Sequence, residues 1–89
     1  LKGRSNENLE VSYKIDRVID ARGLMCPGPI LMLTSTLTSM PKGSIVMVIA
    51  RDPAFEEDLK SWSAYTGNEI LDVRRRGEEI IAIIRKIGE

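Results

Sequence analysis

One cysteine and the absence of histidine decide which chemistry this 89-residue chain can perform. Cys26 is the single thiol, which excludes an internal disulfide and the two-thiol redox cycle of a C-x-x-C enzyme. Without histidine there is no Cys-His dyad, no Ser-His-Asp triad and no Cys/His zinc site, and no bound metal is expected. What remains is a thiol that acts alone or against a partner protein.

Out of context, a lone cysteine is most often a small buried hydrophobe. The surroundings of Cys26 argue otherwise. Gly23 precedes it and Pro27-Gly28-Pro29 follows, a run that opens helices because proline at the first helical position loses no hydrogen bond. A sulfur just before a helix can be exposed and aimed at the partial positive charge of the helix N-terminus, which is where reactive thiolates are found. That dipole contributes only about 0.3–1 kcal/mol, so a modest lowering of the thiol pKa is expected. In this reading the prolines stiffen the loop, N–H groups of the first helical turn stay free to bond an anionic sulfur, and Leu24 and Met25 pack beneath. Such a thiol suits sulfur transfer, which asks for a nucleophile that takes sulfur from a donor persulfide and then exposes it to the next acceptor. Neither step demands a general base.

The elements that must hold this loop follow from pattern and punctuation. Ile15 to Asp20 carries the β-branched Ile15, Val18 and Ile19 of a first strand, and Ala21 to Gly28 is the loop. A helix beginning at Pro29 places Ile30, Leu33, Leu37 and Met40 on one stripe until Pro41-Lys42-Gly43 stops it. Ser44 to Ala50 is an apolar run of the kind found in strands covered on both faces. Asp52-Pro53 reads as an N-cap and first-position proline for a second helix through Phe55, Leu59 and Trp62, which Gly67 closes. Glu69 to Arg75 and Glu79 to Lys86 form a hairpin around Gly77. The order βαβαββ calls for an α/β (α+β) two-layer sandwich built around one core, which suits the 43% hydrophobic content. Phe55, Trp62, Met40 and Met47 are expected in that core, and Asp20 and Asp52 to end a strand and cap a helix.

Asp20-Ala21-Arg22-Gly23-Leu24-Met25-Cys26-Pro27-Gly28-Pro29 resembles the D-x-x-G-L-x-C-P-x-P signature of the TusA/SirA family of sulfur carriers, and the likeness runs over about residues 15–87. The resemblance implies a mixed four-stranded sheet with both helices on one face and a persulfide carried on Cys26, with no further cofactor. Gly23, Pro27, Gly28 and Pro29 then support the loop and helix start. It implies a sulfurtransferase-type carrier rather than a stand-alone catalyst, loaded by a cysteine desulfurase or rhodanese-like donor and unloaded by a protein acceptor. The chain departs from a stand-alone member in its polar N-terminal extension, in its start at Leu1, and in a last strand that is apolar on both faces. A piece of a fused rhodanese-like or disulfide-reductase polypeptide fits those departures.

Residues 1–14 read as a tail or linker and 15–89 as the carrier domain, because the first fourteen residues scatter their few apolar groups among charges. Thirteen basic residues balance thirteen acidic ones, so no global field draws the chain to nucleic acid or membrane. Its apolar runs fall far short of the roughly 20 residues of a membrane span, and a cytoplasmic location is expected. Arg74-Arg75-Arg76 lacks the interleaved aromatics of a nucleic-acid platform and reads instead as docking an acidic partner surface. The competing reading is a regulatory or interaction module whose cysteine is incidental. Continuous apolar character in Ile45 to Ile49 and Ile80 to Ile84 also predicts an apolar patch on the sheet face away from the helices, covered by another domain, a second copy, or the segment around Leu9, Val11 and Tyr13.

Overall fold

The computed structural model describes residues 13–88, and its elements are β1 (Arg17–Ala21), α1 (Gly28–Thr38), β2 (Ile45–Ala50), α2 (Phe55–Thr66), β3 (Glu69–Arg76) and β4 (Glu79–Arg85). The four strands form one mixed sheet in the order β1-β2-β4-β3. β1 and β2 run parallel, with Ala21 opposite Ala50, while β2–β4 and β3–β4 are antiparallel. Most of the tail expected over residues 1–14 lies outside the described residues, as do Leu9 and Val11.

Alternation along the strands decides which face the helices cover. Ile19 and Ala21 of β1, Val46, Val48 and Ala50 of β2, and Ile80, Ala82 and Ile84 of β4 are buried together with Leu33 and Leu37 of α1 and Phe55, Leu59 and Trp62 of α2. Both helices therefore lie on one face, and the two-layer α+β sandwich is the architecture. The two helices also meet directly, through the Trp62 indole N–H donating to Thr34 Oγ1 at 3.0 Å. Lys86 closes the far end of α1, its ammonium donating to the carbonyls of Leu37 at 2.7 Å and Met40 at 2.8 Å, where a cation also suits the negative end of the helix.

The opposite face carries the other half of the alternation. Ile45, Met47, Ile49 and Ile81 are half-buried and Ile83 is 2% exposed, which leaves Val18 on the edge strand, at 56%, as the exposed large apolar residue of that face. Met47 is thus not in the core under the helices, whereas Met40 packs against it. Several boundaries also shift: β1 runs from Arg17 to Ala21 rather than from Ile15 to Asp20, and α1 ends at Thr38, before Met40. α1 starts at Gly28, one residue before Pro29, and α2 starts at Phe55 after Ala54 instead of at Pro53. Gly67 ends α2 at φ +83° and Gly77 turns the hairpin at φ +61°, both in the left-handed region that favours glycine.

Candidate functional site

Parallel pairing puts the site together. Because β1 and β2 run side by side in the same direction, the loops that leave Ala21 and Ala50 emerge from the same end of the sheet. The first loop carries Cys26 and the second carries Asp52. Asp52 is only 3% exposed, and a carboxylate this deep must be hydrogen-bonded to be tolerated. Its Oδ2 accepts the backbone N–H of Cys26 at 2.5 Å and its Oδ1 accepts the N–H of Ala54 at 3.0 Å. The Asp52 carbonyl also accepts the N–H of Phe55 at 2.9 Å. One side chain thereby ties the cysteine loop to the turn that opens α2. The sequence reading assigned Asp52 a helix cap; the residue closes the turn ahead of the helix and spends its other oxygen on Cys26.

Around that tether the loop is compact. Leu24 N–H donates to the Ala21 carbonyl at 3.1 Å and Gly28 N–H to the Met25 carbonyl at 2.6 Å, and the peptide bond between Cys26 and Pro27 is cis. A Cβ at Gly28 would stand 2.9 Å from Leu24 Cβ, so glycine lets the helix start lie close over the loop. Gly23, by contrast, faces open space. Pro29 is buried, Pro27 is exposed, and Leu24 packs against the core. Met25, expected beneath the cysteine, is 68% exposed beside it. The base of the loop is fastened by Arg22, whose guanidinium donates to Asp20 at 2.8 Å and to Glu79 of β4 at 3.3 Å. That guanidinium holds the Asp20 carboxyl down to about 2.

The thiol is exposed, as a transfer chemistry requires. Its acidity departs from expectation: the Cys26 pKa is raised. The Asp58 carboxylate, one turn into α2, faces the sulfur as a hydrogen-bond acceptor, partial desolvation adds to its effect, and the charges of Asp58 and Asp52 oppose a thiolate. Two negative groups so close outweigh a helix dipole worth about 0.3–1 kcal/mol. The sulfur, one carboxylate oxygen of Asp52 and one of Asp58 lie within 4.8 Å of one another. With both Asp52 oxygens accepting backbone N–H groups, the trio fits a hydrogen-bonded turn better than a metal cage.

The three arginines are not gathered into one patch. Along β3 their side chains alternate: Arg75 reaches Glu56 of α2 at 2.9 Å, on the helix side, while Arg74, paired with Asp72 at 2.8 Å, lies opposite Ile81. Arg76 is exposed near the hairpin turn. What sequence reasoning missed was Asp58, hidden among Glu56, Glu57 and Asp58 as an ordinary acidic helix start. No sequence spacing brings it to Cys26; the parallel strand pair does.

The raised pKa has a direct consequence. The rate of alkylation by iodoacetamide should rise with pH through a midpoint that lies higher for the folded protein than for the same chain in urea, because the fold disfavours the thiolate. A folded-state midpoint at or below the unfolded one would contradict the arrangement of charges around the sulfur.

The family profile of the sulfurtransferase TusA matches residues 17–86. A protein of Aquifex aeolicus described as a candidate sulfur carrier is 41% identical over 78 residues, which cover 88% of this chain and 40% of that protein. The chain thus spans less than half the length of that relative. The sulfur carrier protein TusA of Allochromatium vinosum is 38% identical over 71 residues, covering 80% of this chain and 93% of its own length, and that of Pseudomonas aeruginosa is 29% identical over 76 residues. A two-layer sandwich with an exposed, loop-borne cysteine ahead of its first helix, and a family match over every strand and helix of the fold, lead to one conclusion: the chain belongs to the TusA family of sulfur carriers.

Proposed function

We propose that this sulfur carrier holds its sulfur as a persulfide on Cys26, receiving it from a donor protein and handing it to an acceptor protein. The observation that carries this reading is the exposure of the only cysteine, fixed through its backbone by Asp52 so that the side chain is left to react. In loading, the Cys26 sulfur attacks the terminal sulfur of the donor's persulfide. A new S–S bond forms as the donor's S–S bond breaks, the bonding pair leaves with the donor's cysteine sulfur, and the proton lost by Cys26 ends on that departing thiolate. No outside oxidant or reductant enters. Unloading repeats the exchange with Cys26 as the leaving group, and no cofactor is needed in either direction.

Donors of the cysteine desulfurase or rhodanese-like class fit this exchange, since both present sulfur on a cysteine. The cytoplasm, where thiols stay reduced, is the compartment that suits it. No helix among the described residues is long and apolar enough to cross a membrane. A module with an incidental cysteine would keep that residue buried and inert, which the exposure of Cys26 argues against. Arg74, Arg75 and Arg76 are proposed to help dock an acidic partner surface, with the charges of Arg74 and Arg75 already partly answered by Asp72 and Glu56.

Replacing the sulfur tests the first claim. Cys26→Ala should fold with unchanged stability, because the side chain is exposed, and should gain no sulfur mass after incubation with a donor persulfide, whereas the parent protein gains one sulfur atom. Sulfur retained by the alanine variant would overturn the assignment. For the arginines, replacing all three by Ser should slow association with the donor and flatten its dependence on salt, leaving alkylation of Cys26 unchanged. An identical salt slope in the two proteins would remove them from the docking surface.

A further inference from the structure

Asp58 and Asp52 differ in what their oxygens do. Both oxygens of Asp52 are occupied by backbone N–H groups, of Cys26 and of Ala54. Among the described residues Asp58 enters no ion pair, and the group its carboxylate faces is the Cys26 sulfur, within 4.8 Å. The cations of the neighbouring loops are engaged elsewhere: Arg22 with Asp20 and Glu79, Arg51 with Glu78. The charges set against the sulfur from the elements around it are therefore Asp58 from α2 and Asp52 from the β2–α2 loop, both negative. An acid in the first turn of α2 also suits that helix's dipole, a structural role that needs no cysteine.

We propose that Asp58 is a specificity-determining residue for sulfur exchange: its carboxylate accepts the S–H of the unloaded carrier, keeps the sulfur a neutral thiol, and favours reaction with sulfur compounds that bring positive charge beside the sulfur they offer. The inference rests on the reading of Cys26 as the exchanging thiol and adds the charge of the group it exchanges with. A donor that sets a cationic side chain against Asp58 cancels the charge that disfavours the thiolate, so the thiol becomes nucleophilic in that complex and stays quiet elsewhere. A donor with a carboxylate beside its persulfide meets two negative charges and is turned away.

Three small disulfides of one length class and different charge separate this role from a structural one. Cystamine is cationic, hydroxyethyl disulfide neutral and dithiodiglycolate anionic; each exchanges with Cys26 by attack of the thiolate on one disulfide sulfur and release of the other half as a thiol. At low salt and neutral pH the native chain should react fastest with cystamine and slowest with dithiodiglycolate. Asp58→Asn should reduce that spread severalfold and move the alkylation midpoint of Cys26 to lower pH, while Asp58→Glu should keep both near the native values. Equal rates for the three disulfides in the native chain, or the same spread in Asp58→Asn, would overturn the proposal.

A readout on the native protein covers the case of a variant that fails to fold. The Asp58 carboxyl carbon resonance should shift with pH through the same midpoint as Cys26 and lose that inflection in Cys26→Ala; no inflection would equally overturn the proposal. None of these readouts requires a persulfide to form, so their failure would leave the carrier reading to stand or fall on the mass of the loaded protein.

Discussion

The site depends on one buried carboxylate. Asp52 sits where two parallel strands end, and it satisfies its desolvated oxygens with the N–H of Cys26 on one side and of Ala54 on the other. Removing such an acceptor leaves two backbone donors without their partner, a cost of about 1–3 kcal/mol for each one that stays buried. The same bond fixes the height of the cysteine loop above the sheet without touching its sulfur. A carrier must offer one side chain to several partners while giving its backbone little freedom, and anchoring through the peptide N–H meets both demands.

The rest of the fold serves that junction. Ala21 and Ala50, opposite each other in the register and fully buried, let the two loops leave the sheet close together. Leu33 and Leu37 hold α1 down behind the loop, and Phe55 and Leu59 hold α2 so that Asp58 faces the sulfur. Arg22 links the strand before the loop to β4 in an exposed network, where ion pairs add little stability but do restrict direction. The sulfur that results is accessible yet reluctant to ionise, which separates a thiol that waits for its partner from one that reacts with whatever arrives.

Much of this was legible in the sequence. The 3.6-residue stripes of Leu33 with Leu37 and of Phe55, Leu59 and Trp62 marked the helices, and glycine at 43, 67 and 77 marked the turns and the end of α2 because each of those positions takes a positive φ. Cys26 between Gly23 and Pro27 read as an exposed thiol ahead of a helix, and that is where the fold places it. The environment of its sulfur was not legible, since Asp52 and Asp58 lie 26 and 32 positions along the chain and a local rule sees only the helix that follows the cysteine. That rule predicted a lowered pKa; the charges delivered by the strand pairing reverse it. Met25 fails for a related reason: Leu24 already fills the space under the loop, so its neighbour points to solvent.

Hydrogen exchange at a single amide tests the central claim most directly. If Asp52 holds the cysteine loop through the Cys26 N–H, that proton should exchange slowly in the native chain, alongside those of the sheet. In Asp52→Ala it should exchange many times faster, with the strand amides of β2 and β4 still protected. Fast exchange of the Cys26 amide in the native chain, or equal protection in the two proteins, would contradict the account.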